Sequence, residues 1–223
     1  TTQLKDVNDA YQWLAYRYDW PTLLKRGGTV IVANVRKYGL PSDFRKFRHL
    51  FVSGTLRDFV EFEHFPYHTN AYTIDPDFTF STRQFWISDL PASASTAYAL
   101  TNNESAGNAV VVELDTVSGL SVGEEIFING TTPEFTSVSA IGTLTITVRL
   151  VVATGASKSL YRSTEIIHYQ YYRMVTLLSG ATDTTILPDT TDTMIPVLAA
   201  YFYYDRLEQP DRAKAKMEKF KMM

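Results

Sequence analysis

The sequence has no cysteine among its 223 residues. This absence excludes disulfide cross-links and thiolate metal sites, so the fold must be stabilised by packing or by contacts with partners. The sequence also lacks an apolar run of about 18 residues, which a membrane-spanning helix requires, and it shows no secretory signal. We therefore expect no membrane partner and an origin in a cytoplasm.

A large excess of charge of either sign is missing as well. Lysine and arginine total 21 against 24 aspartate and glutamate residues, a net charge of −3. Proteins that grip nucleic acid normally carry a clear excess of cations, so this balance argues against a dedicated nucleic-acid binder. It is compatible with a surface along which DNA slides. A hydrophobic content of 45% indicates an ordinary globular chain of one domain or two small ones.

Motifs for catalysis and cofactor binding are absent too. The sequence contains no phosphate-binding glycine loop, dinucleotide-binding glycine pattern or nucleophile elbow. None of its histidines adjoins a recognisable nucleophile. These four residues are His49, His64, His68 and His168. We expect no enzyme activity, no catalytic residue and no cofactor.

One segment, HFPYH, is a candidate metal site because His64 and His68 lie among carboxylates. Pro66 interrupts the helix that would place both histidines on one face, so we expect a polar strand end and loop without a metal. The carboxylates are Glu61, Glu63, Asp75 and Asp77.

The chain begins with a pattern that is typical of a helix. Leu4, Val7, Tyr11, Leu14 and Tyr18 recur at steps of three and four, which predicts one amphipathic helix. Pro21 ends it and places Trp20 at the exit. After two glycines, the β-branched run TVIVANV predicts a strand.

The segment YGLPSDFRKF predicts a rigid corner. Pro41 holds Leu40 extended, and Ser42 or Asp43 is a candidate N-cap for a short helical turn. In that turn Phe44 and Phe47 would face inward and the cations outward. Further strands are predicted at 50–52 and within LRDFVEFEHF, TIDPDFTF and RQFWISDL.

A change of composition predicts a separate module at Ala97–Ser163. Aromatic residues become rare there, threonine, serine, valine and glycine dominate, and turn signals recur every 8 to 12 residues, as in an all-β sandwich or barrel. Six carboxylates against three cations make the module mildly acidic. Aromatic residues return in EIIHYQYYRMVTLL, which we expect to join Gln84–Ser88 in one sheet, with the module inserted between them.

The last segment predicts a helix that Pro210 kinks or divides. Asp192 or Thr193 is its candidate N-cap, and Pro196 is tolerated in its first turn. Its buried face would consist of Ile195, Leu198, Ala199, Phe202 and Leu207.

Two clusters are candidate protein interfaces. One is the basic, aromatic segment around the corner, whose cations either face solvent or dock on an acidic partner. The other is the tyrosine cluster of the last helix, which either packs inside the monomer or contacts another subunit. The candidate interface residues are Arg36, Lys37, Arg45, Lys46, Arg48, Tyr201, Tyr203 and Tyr204.

The order of these parts along the chain is more informative than any single motif. A helix reading NDAYQWLAYRYDW, the corner YGLPSDFRKF, a strand HYQYYRMVTLL, the phrase ILPDTTDT and a terminal helix VLAAYFYYDRLEQPDRA follow one another. This order resembles the head-to-tail adaptor (connector) proteins of tailed bacteriophages, including the gatekeeper or tubular proteins of short-tailed phages. The resemblance covers about the first 90 and the last 60 residues.

The resemblance implies a structural virion protein at the head–tail interface. About twelve copies would form a ring below the portal protein, join capsid to tail and continue the DNA channel without sequence-specific binding. The ring would also contact the next tail or nozzle protein. The implied fold class is α+β, with N- and C-terminal helices packed together and an antiparallel β-sheet region. Residues 1–96 and 164–223 would be the adaptor core.

The inserted module at 97–163 departs from the smallest members of this family. We hypothesise that it decorates the particle or contacts tail fibres or neighbouring subunits. An alternative function is a β-sandwich module of a phage structural protein that binds carbohydrate or another surface ligand. An exposed row of aromatic side chains would support that alternative, with Tyr98, Phe127, Phe135 and Tyr161 available.

Overall fold

The computed structural model describes residues 2–74, 83–130, 132–154, 158–180 and 182–223. The fold is α+β, as expected, with three α-helices and two sheets. The helices are α1 (Thr2–Arg17), α2 (Met194–Arg206) and α3 (Pro210–Lys221). None of the helices in these ranges is long and apolar enough to cross a membrane.

The described part of the chain contains thirteen strands. They are β1 (Leu24–Thr29), β2 (Lys37–Gly39), β3 (Phe44–Val52), β4 (Thr55–Phe59), β5 (Ala71–Ile74), β6 (Gln84–Ile87), β7 (Tyr98–Ala99), β8 (Gly107–Glu113), β9 (Glu125–Asn129), β10 (Glu134–Ile141), β11 (Thr145–Leu150), β12 (Ser159–Arg162) and β13 (Ile167–Arg173). The first sheet has the order β1-β13-β3-β4-β5-β6-β2, and the second has the order β7-β12-β9-β10-β11-β8.

The chain divides into two compact units, a helical one and a β-rich one. The helical unit comprises Thr1–Lys25, Asp43–Lys46 and Tyr171–Met223, and the β-rich unit comprises Arg26–Ser42 and Phe47–Gln170. The proposed boundary of an inserted module at 97–163 stays a prediction. All strands of the second sheet nevertheless lie inside that range.

In the helical unit, the apolar side of α1 packs against α2 and α3, as predicted. Tyr18, the last residue of the predicted stripe, lies beyond the end of α1 and is 48% exposed. Tyr11 and Leu14 are fully buried, and Trp13 meets Phe220 of α3 edge to face, with ring centroids 5.5 Å apart. The indole of Trp20 donates a hydrogen bond to the Leu14 carbonyl at 2.8 Å, which fixes the helix exit. Leu207, expected in the buried face, is 45% exposed because α2 ends at Arg206.

The first sheet contains antiparallel pairs, as expected, at β3–β4, β5–β6 and β2–β6. Strands β4 and β5 run parallel, with Phe59 opposite Tyr72. Strand β13 joins β6 in this sheet, as predicted, although the strand ends at Arg173. The predicted strand TIDPDFTF is present as β5 up to Ile74, and its remainder lies outside the described residues.

The second sheet, at 97–163, closes on itself. Its outer strands β7 and β8 meet where Leu100 bridges Leu114 and where the Thr101 amide donates to the Glu113 carbonyl at 3.1 Å. The interior is apolar, with Val112, Ile126, Ile146 and Leu160 almost fully buried. This barrel-like arrangement matches the predicted module architecture.

One strand prediction near the N-terminus is wrong. The run TVIVANV is mostly a loop, and the strand β1 covers the preceding residues LKRGGT instead. The two glycines belong to the strand because large side chains fill the space above them. A Cβ on Gly27 would lie 2.6 Å from the Tyr169 ring, and one on Gly28 would lie 3.0 Å from Phe135.

The corner is present at Leu40–Asp43, but no helical turn follows it. Residues 44–52 form β3, whose alternating side chains place Phe44 and Phe47 on opposite faces rather than together. Asp43 does not cap a helix. Its carboxylate accepts hydrogen bonds from Lys25 Nζ at 2.7 Å and from the Tyr171 hydroxyl at 2.9 Å.

Gly27→Ala tests the close packing on β1. The added methyl group collides with Tyr169, so we expect a loss of about 1 to 3 kcal/mol in the free energy of unfolding, measured by urea denaturation. Gly39→Ala is the matched control, since no heavy atom lies within 4 Å of its Cβ position. Equal midpoints for the two variants would contradict the packing.

Deletion of Ala97–Ser163 tests the proposed boundary. Its flanking residues are already adjacent, because the Ser95 hydroxyl donates to the Glu165 carbonyl at 2.6 Å, so a short linker suffices. We expect a soluble protein with one cooperative but less stable unfolding transition, since Gly28 loses the cover of Phe127 and Phe135. Loss of cooperative unfolding would show that the boundary is wrong.

Candidate interaction surfaces

The cations of the predicted basic interface do not form one patch. Arg36 precedes the edge strand β2 and Lys37 lies in it, whereas Arg45, Lys46 and Arg48 lie in β3. Strands β4, β5 and β6 separate β2 from β3 in the sheet. Residues that are adjacent in sequence are therefore distributed over distant strands.

Two of the β3 cations already have an acidic partner inside the helical unit. Arg45 and Lys46 both form ion pairs with Asp19, at 3.0 and 2.7 Å, and Arg45 also donates to the Ala15 carbonyl at 2.6 Å. The hydrogen bond from Lys46 is the main cause of the lowered pKa of Asp19. These contacts tie β3 to the end of α1, so this pair of cations has a structural role.

The other cations of that prediction are exposed in different settings. The ammonium group of Lys37 lies 4.1 Å from the centre of the Trp86 ring, a cation–π contact. Arg36 and Arg48 are exposed, and neither forms an ion pair with another described residue. Their role at an interface stays a prediction.

The tyrosine cluster lies on α2. Tyr203 is exposed, while Tyr201 and Tyr204 are half-buried. The guanidinium groups of Arg206 and Arg212 lie 5.8 and 5.7 Å from the rings of Tyr203 and Tyr204. The cluster therefore combines packing inside the monomer with a partly open aromatic surface, the composition that interface centres favour.

An ion pair between α1 and α2 was not predicted. Asp6 is only 4% exposed, and its carboxylate accepts a hydrogen bond from Arg206 Nη2 at 2.8 Å. Asp6 lies one helical turn before Ala10, beside the apolar stripe of α1. This position is the feature of the sequence that could have indicated a buried carboxylate. A buried carboxylate needs such a partner, because burying an unpaired charge is costly.

A second unpredicted cluster links the two sheets within the β-rich unit. Arg26 forms two parallel hydrogen bonds of 2.5 Å to Glu125, and its guanidinium group lies 4.0 Å from the centre of the Phe135 ring. His168 stacks on Phe51 with ring centroids 4.5 Å apart. The planar guanidinium group suits both the bidentate ion pair and the stacking, so lysine would be a poor replacement for Arg26.

The electrostatics of this cluster follow from burial and from the ion pair. Burial lowers the pKa of His168, and the positive charge of Arg26 lowers it further. Burial opposes ionisation of Glu125, but the hydrogen bonds from Arg26 outweigh it, so the pKa of Glu125 is lowered. The cluster is thus most favourable with a neutral imidazole and an ionised carboxylate.

The described residues contain no group of three or more histidines and carboxylates placed to hold a metal ion. His64 and His68 are exposed on either side of a short 3-10 turn at Phe65–Tyr67. Asp75 and Asp77 of the candidate site lie outside the described residues.

The helical unit contains an open groove of about 590 Å³ beside α1. Its lining includes Leu4, Val7 and Asp183, and the Asp183 carboxylate accepts the Ser179 hydroxyl at 2.8 Å and the Gly180 amide at 3.0 Å. Hydrogen bonds from the amide and the hydroxyl of Ser179 lower the pKa of Asp183, and the bond from the Gly180 amide lowers it further. Its lining includes no histidine to act as a base for Ser179.

No protein-family model matches the sequence, and no curated protein matches it significantly.

The pH dependence of stability tests the environment of His168. Its folded pKa is lower than the unfolded value of about 6.5, so protonation favours the unfolded state as pH falls below that value. We expect the free energy of unfolding to fall between pH 7 and 5.5, by at most about 1.4 kcal/mol per pH unit.

His168→Phe keeps the stacking on Phe51 and should flatten this part of the profile. His64→Phe, at an exposed position, is the matched control and should keep the wild-type slope. An unchanged slope in His168→Phe would show that other groups cause the pH dependence.

Proposed function

We propose that this protein is a structural subunit of a phage head-to-tail adaptor. About twelve copies form a ring below the portal protein, continue the DNA channel and present a platform for the next tail or nozzle protein. The proposal places the protein in the virion and gives it no enzymatic role. It rests on the order of parts in the sequence and on one feature of the first sheet.

That feature is strand β4. It lies in the middle of the seven-stranded sheet, yet none of its five residues is buried. A central strand is normally covered on at least one face. Here Phe59 is 56% exposed and Leu56 is 46% exposed, and Tyr67, in the turn that follows, is 86% exposed. Leu56 and Phe59 are three residues apart in β4, so they lie on opposite faces of the strand, and Phe59 is the more exposed of the two. An exposed aromatic side chain is typical of a protein contact surface.

A neighbouring copy would supply the missing cover. Each subunit of a ring gives one surface to the subunit before it and another to the subunit after it, so an uncovered sheet in the monomer is buried on assembly. Aromatic residues suit this role because they bury a large area and lose little conformational freedom.

The terminal helices give further support. Helices α1, α2 and α3 share one apolar core, in which Leu14, Leu198 and Phe220 take part. The resemblance implies helices packed in this way, from both ends of the chain. The small net charge of −3 suits a channel through which DNA passes, because the lining should not hold phosphates tightly.

The ligand-binding alternative receives no comparable support. Tyr98 and Phe127 are buried, and Phe135 and Tyr161 are half-buried. The four aromatic residues of the second sheet therefore do not form an exposed row on which a sugar ring could stack.

Phe59→Asp tests the proposal at β4. Because Phe59 is more than half exposed and its main ring contact in the monomer is with Tyr72, we expect the monomer to lose about 1 kcal/mol of stability and to stay folded. We expect assembly to fail, since a carboxylate in an apolar subunit contact is costly. Light scattering coupled to size-exclusion chromatography, with and without purified portal protein, measures the assembly.

Val122→Asp is the matched control, because Val122 is 63% exposed in a turn of the second sheet, away from β4. It should assemble like the wild type. A wild-type chain that stays monomeric at high concentration and ignores the portal would refute the adaptor proposal.

A further inference from the structure

Helix α3 carries a concentration of positive charge. Its twelve residues include five cations and two carboxylates, whereas the whole chain has a net charge of −3. Ala213, Met217 and Phe220 turn toward the core of the helical unit. The charged residues therefore occupy the remaining faces of the helix.

Three of these cations share one flank of α3. Arg212, Lys216 and Lys219 are spaced at i, i+4 and i+7, so they line up on one side of the helix. We call this set the basic flank. Lys214 and Lys221, also seven residues apart, lie on the opposite flank together with Glu218. The basic flank has no carboxylate of its own, and Arg212 lies over the ring of Tyr204.

The basic flank is not neutralised within the described part of the chain. Every lysine and arginine lies in the described ranges, and none of the α3 cations is among those that form ion pairs there. Cations elsewhere in the chain, such as Arg26, Arg45 and Arg162, each have a carboxylate within 3.0 Å. The flank thus differs from these in having no carboxylate partner among the described residues.

A surface of opposite charge lies on the second sheet, where β7 meets the end of β8. Glu104, Glu113 and Asp115 lie together at this junction, which we call the acidic seam. Asn102 joins two of them, since its side chain donates to Glu104 at 2.6 Å and accepts from the Glu113 amide at 3.2 Å. Asp115 accepts the Ala99 amide at 2.9 Å.

The acidic seam is also without cations among the described residues. None of its three carboxylates forms an ion pair, while Glu124 and Glu125 of the same module are paired with Arg162 and Arg26. Glu113 and Asp115 are exposed. The polar groups around the seam fix the positions of the carboxylates but leave their negative charge uncompensated.

We propose that the basic flank of one copy docks on the acidic seam of a second copy of this chain. This inference rests on the proposed ring. Two different surfaces of each subunit meet in such a contact, so it is heterologous, and contacts of this kind generate rings when the rotation closes. Charge complementarity of this sort sets the register and orientation of partners and accelerates their association.

A charge-reversal experiment tests the contact with the full-length chain. Variant A carries Lys216→Glu and Lys219→Glu, and variant B carries Glu104→Lys and Glu113→Lys. Each variant opposes like charges, so we expect assembly to need at least a tenfold higher protein concentration than in the wild type. The matched control for A carries Lys214→Glu and Lys221→Glu, the same change of charge on the opposite flank, and should assemble normally.

Mixing the two variants gives the decisive result. The acidic flank of A fits the reversed seam of B, and the basic flank of B fits the native seam of A, so an equimolar mixture should assemble with A and B alternating. Assembly of the wild type should weaken with rising salt because exposed ion pairs are screened. Circular dichroism and urea denaturation of each variant establish that it is folded.

The outcomes separate this inference from the proposed function. If A and B each assemble like the wild type, or if the mixture fails while both variants are folded, the docking is refuted although the ring stands. If A assembles normally but loses retention of duplex DNA at low salt, the flank faces DNA and the docking is refuted. A wild type that never assembles refutes both.

Discussion

Close packing of aromatic side chains on the two glycines of β1 is the contact on which the β-rich unit depends. Tyr169 fills the space above Gly27, and Phe127 and Phe135 approach Gly28, so residues from both sheets converge on one short strand. The Arg26–Glu125 ion pair and the Arg26–Phe135 contact lie beside it. Larger side chains at positions 27 and 28 would push the two sheets apart, because protein interiors are close-packed and have no room for added atoms.

Aromatic side chains cover β1 in this way, but no residue of β4 is buried. The aromatic cluster around Phe47 includes Tyr72, Phe85 and Tyr169, so one side of the first sheet has a dense interior. Burial there raises the pKa of Tyr72 to about 12. Strand β4 contributes no buried residue to this interior, although it stands between β3 and β5. The monomer therefore ends with an apolar surface that assembly would bury.

The helices and the second sheet were predictable from the sequence because their signals are local. A stripe at steps of three and four marked α1, and regular turn signals marked β8 to β11. The strand β1 was not predictable, since Gly27 and Gly28 disfavour a strand, and the Tyr169 ring that packs on Gly27 comes from 142 positions away in the sequence. The ion pairs of Arg45 and Lys46 with Asp19 were likewise not predictable from the basic segment, because ion-pair partners depend on the tertiary fold.

Electron cryo-microscopy of the purified chain assembled with its portal protein tests the central claim most directly. The account predicts a closed ring in which Phe59 of each subunit is buried against a neighbouring subunit. A particle in which β4 still faces solvent, or a chain that remains a single subunit beside the portal, would contradict it.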